Sequence, residues 1–358
     1  MRNGYNIVAV TAAGRRQYMK FLIPHILKSD MIDRYDIWVN TMSKLDIAFF
    51  KELENKYSKV NLVYQPDGKI NGIASINAFY KYCVDPKSIY LKLDDDIIWM
   101  DNNALCTLVD YRINNPEYFL VSPIVINNGL CAYALYNSGK LKLSRYLKAY
   151  MEDVAGWCSP KFSEKYHRWF YDIIKSNCVE DVMISNKEIA MNRFSINAVS
   201  FFGSSFNEFS GEVVGDDEEF LSVVKPTSLG CSNCFVGNSI MVHYAFSSQK
   251  KYLDGTDILK LYDEYFVNFI NFIKKLKASG MSLEHIIDYI RLAEMGDATI
   301  QERKKLLAEA REMLLDKINS LQLVAELADY QLRNYENLLQ PETYALLNRH
   351  PASKALAI

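Results

Sequence analysis

The sequence predicts an α/β domain built on a mostly parallel sheet, followed by an all-α tail with a long coiled-coil helix. Three observations carry that reading. Over the first 250 residues, short apolar runs alternate with segments of helical spacing, the pattern of strands joined by helices. Hydrophobic residues make up 49% of the 358 and charged residues 23%, which is ordinary for a packed globular chain of about two domains. Near residue 273 the character changes: Phe272 is the last Phe, no Trp or Cys follows, and Leu, Ala, Glu, Lys and Arg dominate. The reading divides the chain into residues 1–260 and a helical, dimer-forming region at 261–358.

Each element has its own signal. Tyr5–Thr11 is an apolar run closed by Ala12-Ala13-Gly14, a buried strand and its turn. Arg15–Lys28 has helical spacing, with Pro24 placed to kink it. Tyr35–Asn40 is the second strand. Ser43–Tyr57 is helical, with Ser43 as N-cap. Val60–Gln65 is the third strand, Ile73–Val84 a helix and Ser88–Leu93 the fourth strand. Later strands are expected at Tyr118–Ile126, Ser195–Phe202 and Ser239–Ala245. In the tail, Thr299-x-x-Glu302 reads as a capping box after Gly296-Asp297. From there Leu307, Ala310, Leu314, Ile318, Leu321, Ala325, Ala328, Leu332, Tyr335 and Leu339 step by three and four, and Pro341 ends the run. About four heptads of so narrow a seam favour self-association over packing on the helix's own domain.

Charge and cysteine content exclude several classes. The net charge of −2 provides no global field for a nucleic acid or an anionic membrane. No apolar run reaches 18 residues, so no membrane span is expected. Met1-Arg2-Asn3-Gly4-Tyr5 runs directly into a strand without a secretory pattern, and seven scattered cysteines fit free thiols, so the expected location is cytoplasmic. Cys231-x-x-Cys234 lacks the second pair that a zinc site needs, and His243 alone does not supply it.

The most informative segment is Ile89-Tyr90-Leu91-Lys92-Leu93-Asp94-Asp95-Asp96-Ile97-Ile98. A buried strand runs into three aspartates and returns at once to apolar residues. Buried carboxylates cost several kcal/mol each unless cations or donors compensate. Alternation puts Asp94 and Asp96 on one side of an extended chain, aimed together at a hard divalent cation. The carboxyl end of a sheet strand is also where open α/β sheets bind ligands.

This segment resembles the Asp-x-Asp motif of GT-A fold glycosyltransferases. Thr11-Ala12-Ala13-Gly14-Arg15 is similar to the first nucleotide-binding strand and loop of that fold. Gly215-Asp216-Asp217-Glu218-Glu219-Phe220-Leu221 resembles the acidic helix start that supplies an acceptor base. Val242-His243-Tyr244-Ala245-Phe246-Ser247-Ser248-Gln249 resembles the late segment whose His completes a metal site. The resemblance covers about residues 1–260. It implies a mixed, Rossmann-like sheet flanked by helices. It also implies Mn²⁺- or Mg²⁺-dependent transfer of a sugar from a nucleotide-diphospho-sugar to a glycan or other hydroxyl acceptor, in polysaccharide synthesis. Metal ligation falls to Asp94, Asp96 and His243, with Asp96 the first direct ligand and Asp94 acting through water or the donor's ribose. Thr11, Ala13, Arg15, Asp94, Asp95 and Asn127 are the donor-binding residues. Asp95 points the other way along the strand, towards the sheet. Asp217, with Glu218 behind it, is the base of an inverting transfer; a retaining transfer would need none. Asn127 and Asn128 suit sugar hydroxyls and turn formation equally. Trp157 and the Tyr, Lys and Arg residues between Tyr146 and Trp169 suit a carbohydrate acceptor or a local core.

The tail carries a second resemblance. Phe272–Ile286, Gly296–Arg303 and the heptad helix to about Leu339 resemble the dimerisation region of MerR-type regulators. That family implies an antiparallel homodimer. Its N-terminal winged helix-turn-helix, with an Arg-Tyr-Tyr pattern, has no counterpart here, so no nucleic acid partner is carried over. The competing reading of the whole chain is a regulatory or interaction protein that senses a nucleotide-sugar without turnover.

Overall fold

The computed structural model describes residues 1–334 apart from 66, 67, 69, 71, 191 and 295–298. The expected positions Gly296, Asp297, Tyr335, Leu339 and Pro341 lie outside the described residues. The chain divides into two compact units, Met1–Phe266 and Val267–Ile358.

The first unit is built on a nine-stranded sheet among the described residues. Its strands are β1 Asn6–Ala13, β2 Arg34–Val39, β3 Val60–Tyr64, β4 Ser88–Leu93, β5 Ile97–Met100, β6 Val121–Ile126, β7 Lys187–Ile189, β8 Ala198–Phe202 and β9 Asn233–His243. They lie in the order β3-β2-β1-β4-β8-β6-β9-β5, with β7 also paired to β9. The central strands β4 and β6 are buried at every residue, which is why they read as continuous apolar runs without alternation.

The sheet is mixed. β1 pairs in parallel with β2 and β4, β2 with β3, and β6 with β9. The pairs β4–β8, β6–β8, β5–β9 and β7–β9 are antiparallel. The mostly parallel sheet expected from strand–helix alternation is corrected accordingly, because that pattern fades after β6. Tracing the pairings, β1, β2, β3, β4, β6 and β9 run one way and β5, β7 and β8 the other. The carboxyl ends of β1, β4, β6 and β9 therefore share one edge of the sheet with the amino ends of β5 and β8.

The early elements follow the sequence closely. Ser43 caps the helix Lys44–Lys56 by accepting the Asp46 amide at 3.3 Å. The helix Arg16–Lys28 runs through Pro24. The later strands differ more. β9 starts at Asn233, six residues before the expected Ser239, and its pairing with β6 jumps from Pro123↔Val236 to Ile124↔Ile240. Gly237-Asn238-Ser239 reads as a turn but forms an irregularity inside one strand. A Cβ on Gly237 would sit 2.0 Å from the Ile184 carbonyl oxygen, so the close approach there requires glycine.

In the second unit, Leu276, Met281, Ile286 and Ala310 form a small core, with Phe272, Tyr289, Leu306 and Leu307 against it. The helix Ile300–Arg333 is 34 residues long. Its expected capping box does not form: Thr299 makes no side-chain cap bond, and its hydroxyl donates instead to the Leu292 carbonyl. Beyond Ala310 the seam residues Leu314, Ile318, Leu321 and Leu332 are exposed in the single chain. Among the described residues, no helix is long and apolar enough to cross a membrane.

Candidate metal centre and acidic cleft

The carboxyl edge of the sheet gathers the acidic segment and its partners. Asp94-Asp95-Asp96 forms the tight link between β4 and β5. Each carboxylate meets a different set of partners. Asp94 is half-buried; it accepts from the Lys92 ammonium and, at 3.0 Å, from the Asn197 amide. Its backbone N–H donates to the Asn197 carbonyl at 2.8 Å, extending the β4–β8 ladder. Asp95 is buried. It accepts from the Gly14 amide at 2.9 Å and from Arg15 Nε at 2.9 and 3.2 Å, and it pairs with the Arg15 terminal nitrogen. This carboxylate therefore clamps the loop after β1.

Asp96 is 1% exposed. One of its oxygens lies 3.4 Å from His243 Nε2 and the other 3.2 Å from Arg15 Nη2. Neither oxygen has a hydrogen-bond donor in good geometry. The meeting with His243, distant in sequence, is set by backbone pairing: β5 and β9 place Ile97 opposite His243, and the Tyr244 N–H donates to the Asp96 carbonyl at 2.9 Å. The other imidazole nitrogen lies 3.4 Å from the Asn127 carbonyl, and the ring packs against Phe246 at 4.6 Å between centroids. One ligand atom each from Asp94, Asp96 and His243 falls within 4.8 Å of the others.

Electrostatics follow from burial and neighbours. Burial alone would raise the Asp96 carboxyl, but His243 and then Arg15 outweigh it and hold the group below the usual carboxylate range. Burial opposes a charge on His243, and Asp96 more than offsets this, raising the imidazole. Lys92 is buried; burial disfavours its charge, yet Asp94 and Asp217 together keep its ammonium above the ordinary value. The donor set of two carboxylates and one imidazole, with two buried oxygens lacking donors, fits Mn²⁺ or Mg²⁺, the imidazole favouring Mn²⁺.

A second acidic group faces this site. Asp217 accepts from the Tyr80 hydroxyl at 3.0 Å, and burial raises its carboxyl despite the attraction of Lys92. Burial pushes Glu218 up to about 7, against the pull of Arg193. Arg193 bonds to Asp216 at 3.0 Å and lies 3.3 Å from Glu218. Asp216 caps this turn by accepting the Glu219 amide at 2.9 Å.

Other expected residues lie differently. Thr11 and Ala13 are wholly buried in β1. Arg15 is engaged by Asp95 and Asp96, serving as an internal counter-charge. Asp95 bonds to the loop at Gly14 and Arg15, not to the sheet. Asn127 has a φ of 66° and donates its amide to the Tyr244 carbonyl at 2.8 Å and to Gln249 at 2.9 Å, a tie across the sheet edge. Asn128 caps the helix Gly129–Asn137 and donates to Asn197 at 3.0 Å. Cys234 is buried with its sulfur 3.4 Å from the Tyr111 hydroxyl, and Cys231 is also a free thiol. Sequence reasoning missed Lys92, Asn197, Tyr80 and Arg193. Only Lys92 left a signal, as a lone charge inside an apolar strand.

Comparison with known proteins gives two separate likenesses. Residues 267–330 match the family described as MerR, DNA binding. The HTH-type transcriptional regulator AdhR of Bacillus subtilis (strain 168) is 40% identical over 55 residues, which is 15% of this chain. The chain spans only 39% of the length of that curated relative. Among solved structures, S. aureus TarS 1–349 is 9% identical, covering 90% of this chain and 92% of that one at a TM-score of 0.40. GalNAc-T7 with UDP, GalNAc and Mn²⁺ is 12% identical, covering 69% and 45% at a TM-score of 0.42. The 4-diphosphocytidyl-2C-methyl-D-erythritol synthase from Anaerococcus prevotii DSM 20548 is 12% identical, covering 74% and 97% at 0.38.

The partition of roles among the three aspartates is testable. Asp95→Asn removes the buried partner of the Gly14-Arg15 loop and is expected to destabilise the fold by about 2 kcal/mol, part of the Arg15 share being lost to solvent screening. Mn²⁺ affinity should change little. Denaturant unfolding and a metal titration of the same variant check both halves.

Proposed function

We propose that the first unit is a metal-dependent glycosyltransferase that moves a sugar from a nucleotide-diphospho-sugar to a hydroxyl acceptor on a glycan. The observation that carries this reading is the convergence of Asp94, Asp96 and His243 within 4.8 Å at the carboxyl edge of the sheet, with neither buried Asp96 oxygen holding a hydrogen bond in good geometry. A purely structural cluster would satisfy those atoms internally. Asp94, Asp96 and His243 would hold Mn²⁺ or Mg²⁺, which when bound supplies charge neutralisation for the departing diphosphate. A role in polysaccharide synthesis belongs to the same proposal.

The chain's own groups divide the remaining work. Asp217 accepts the proton of the attacking hydroxyl, and Tyr80 and Lys92 hold that carboxylate ready. Glu218 is the reserve base, tuned by burial towards neutrality. Arg15 and Asp95 fix the loop after β1, where the donor's base and ribose would lie. A nucleotide-sugar sensor without turnover would need the donor site but no base, so Asp217 beside the metal cluster favours the enzyme.

Asp96→Ala, or the gentler Asp96→Asn, is expected to abolish Mn²⁺-dependent donor binding and donor hydrolysis while circular dichroism stays native. Nucleoside diphosphate release with Mn²⁺ is the readout, and near-native turnover would overturn the assignment.

Asp217→Asn should lower transfer roughly 10²–10⁴-fold with donor affinity unchanged. In the native protein the rate should rise with pH as this raised carboxyl ionises, and the variant should lose that limb. An unchanged rate would move the base to Glu218 or point to retaining chemistry.

The tail, we infer, joins two copies through an antiparallel pairing of the helix Ile300–Arg333. Its exposed Leu314, Ile318, Leu321 and Leu332 leave a long apolar stripe, and burial gains roughly 25 cal/mol per Å². Light scattering should give a dimer for the full chain and a monomer for a truncation after Gly280; a monomeric full chain would refute it.

A further inference from the structure

A cavity lined by none of the acidic-edge residues lies in the first unit. It measures about 430 Å³ and is walled by the segment after the helix Gly129–Asn137 and by one face of the helix Pro160–Lys175. Its cations are Lys142, Arg145, Lys161 and Lys165, and its half-buried rings are Phe162 and Trp169. None of the four cations makes an ion pair among the described residues.

The local charge is strongly one-sided. The cavity lining holds four cations and no carboxylate, although Glu152 and Asp153 follow soon after Lys148 in the chain. On the facing helix Glu164 is occupied: it accepts from Arg168 at 2.9 Å and from the Tyr252 hydroxyl at 2.8 Å. The amino end of a 16-residue helix adds a further positive potential. Four like charges around one opening repel each other, and a bound anion would relieve this.

The rings narrow the ligand class. Trp169 stacks on the buried Tyr166 at 5.5 Å, which holds it as a rigid platform. A platform of that kind packs against the C–H face of a sugar, and a cavity of this volume suits one or two residues of a carbohydrate. The helix that carries Trp169 is also tied to the end of the metal-site strand: His167 lies 2.9 Å from the Tyr244 carbonyl, next to His243.

We propose that this cavity is the docking site for a phosphate-bearing carbohydrate acceptor, the cations taking the phosphate and Trp169 the sugar face. Calling the ligand an acceptor rests on the transferase reading above; the anionic carbohydrate site itself does not.

The test is direct binding to the full chain without metal or donor. Glucose 6-phosphate is the probe, with glucose and inorganic phosphate as its two halves, followed by calorimetry. Glucose 6-phosphate should bind saturably and at least about tenfold tighter than either half. Lys161→Glu/Lys165→Glu should weaken it by at least about tenfold, as should Lys142→Ser/Arg145→Ser on the facing segment. Trp169→Ala should remove the preference over inorganic phosphate. No saturable binding up to about 10 mM, or an affinity unchanged in both charge variants, would overturn the proposal. Asp96→Ala separates the two readings. Sugar phosphate binding that survives in it supports the cavity, and binding lost with it assigns the ligand to the metal site and overturns the cavity. If the native chain binds sugar phosphate but neither Mn²⁺ nor a nucleotide-sugar, the cavity stands and the transferase reading falls.

Discussion

The structure of the first unit depends on how three consecutive aspartates are carried into the interior between two buried strands. Burying one ionised carboxylate without a partner costs several kcal/mol, and here two are buried and a third is half-buried. The fold gives each a separate solution. Lys92 and Asn197 meet Asp94, the Gly14 amide and Arg15 meet Asp95, and His243 with Arg15 meets Asp96. Those partners come from β4, from the loop after β1, from β9 and from the approach to β8. The charge balance is therefore satisfied only when the central sheet is assembled, which couples the site to the topology.

The three solutions differ in completeness, and the difference has chemical content. Asp95 is saturated by four contacts to a loop it immobilises, so it has little capacity left for a ligand. Asp96 is compensated in charge but not in hydrogen bonding. Asp94 is the most exposed of the three. A cation approaching from solvent would meet Asp94 first and find Asp96 and His243 behind it. Asp94 and Asp96 approach one another beside His243, as alternation along the strand suggests, while Asp95 turns to the β1 loop and not to the sheet and shares Arg15 with Asp96.

Legibility in the sequence followed the range of the interactions. β4, the helix capped by Ser43 and the apolar run of β1 were readable because their signals lie within one element. The four-residue β5 was not, because its place is fixed by β9, far along the chain. β9 was read short because Gly237-Asn238-Ser239 has the composition of a turn, and only packing against Ile184 makes it part of a strand. The motif around Thr11 and Ala13 points to a donor, and the strand buries both side chains. Arg193 and Asn197 were invisible because their neighbours Phe194, Ile196 and Ala198 read simply as strand.

The acidic and basic regions of this unit show how one fold keeps opposite fields apart. Lys92, a buried cation, sits against Asp94 and Asp217 and makes two repelling carboxylates compatible. Arg193 does the same at the acidic turn, meeting Asp216 and Glu218. Lys142, Arg145, Lys161 and Lys165 have no such internal role, since none makes an ion pair among the described residues. Internal balance thus accounts for the cations at the sheet edge and leaves those around Trp169 unexplained by folding. Exposed cations are solvated by water and need no partner for folding; what sets Lys142, Arg145, Lys161 and Lys165 apart is that they line one cavity.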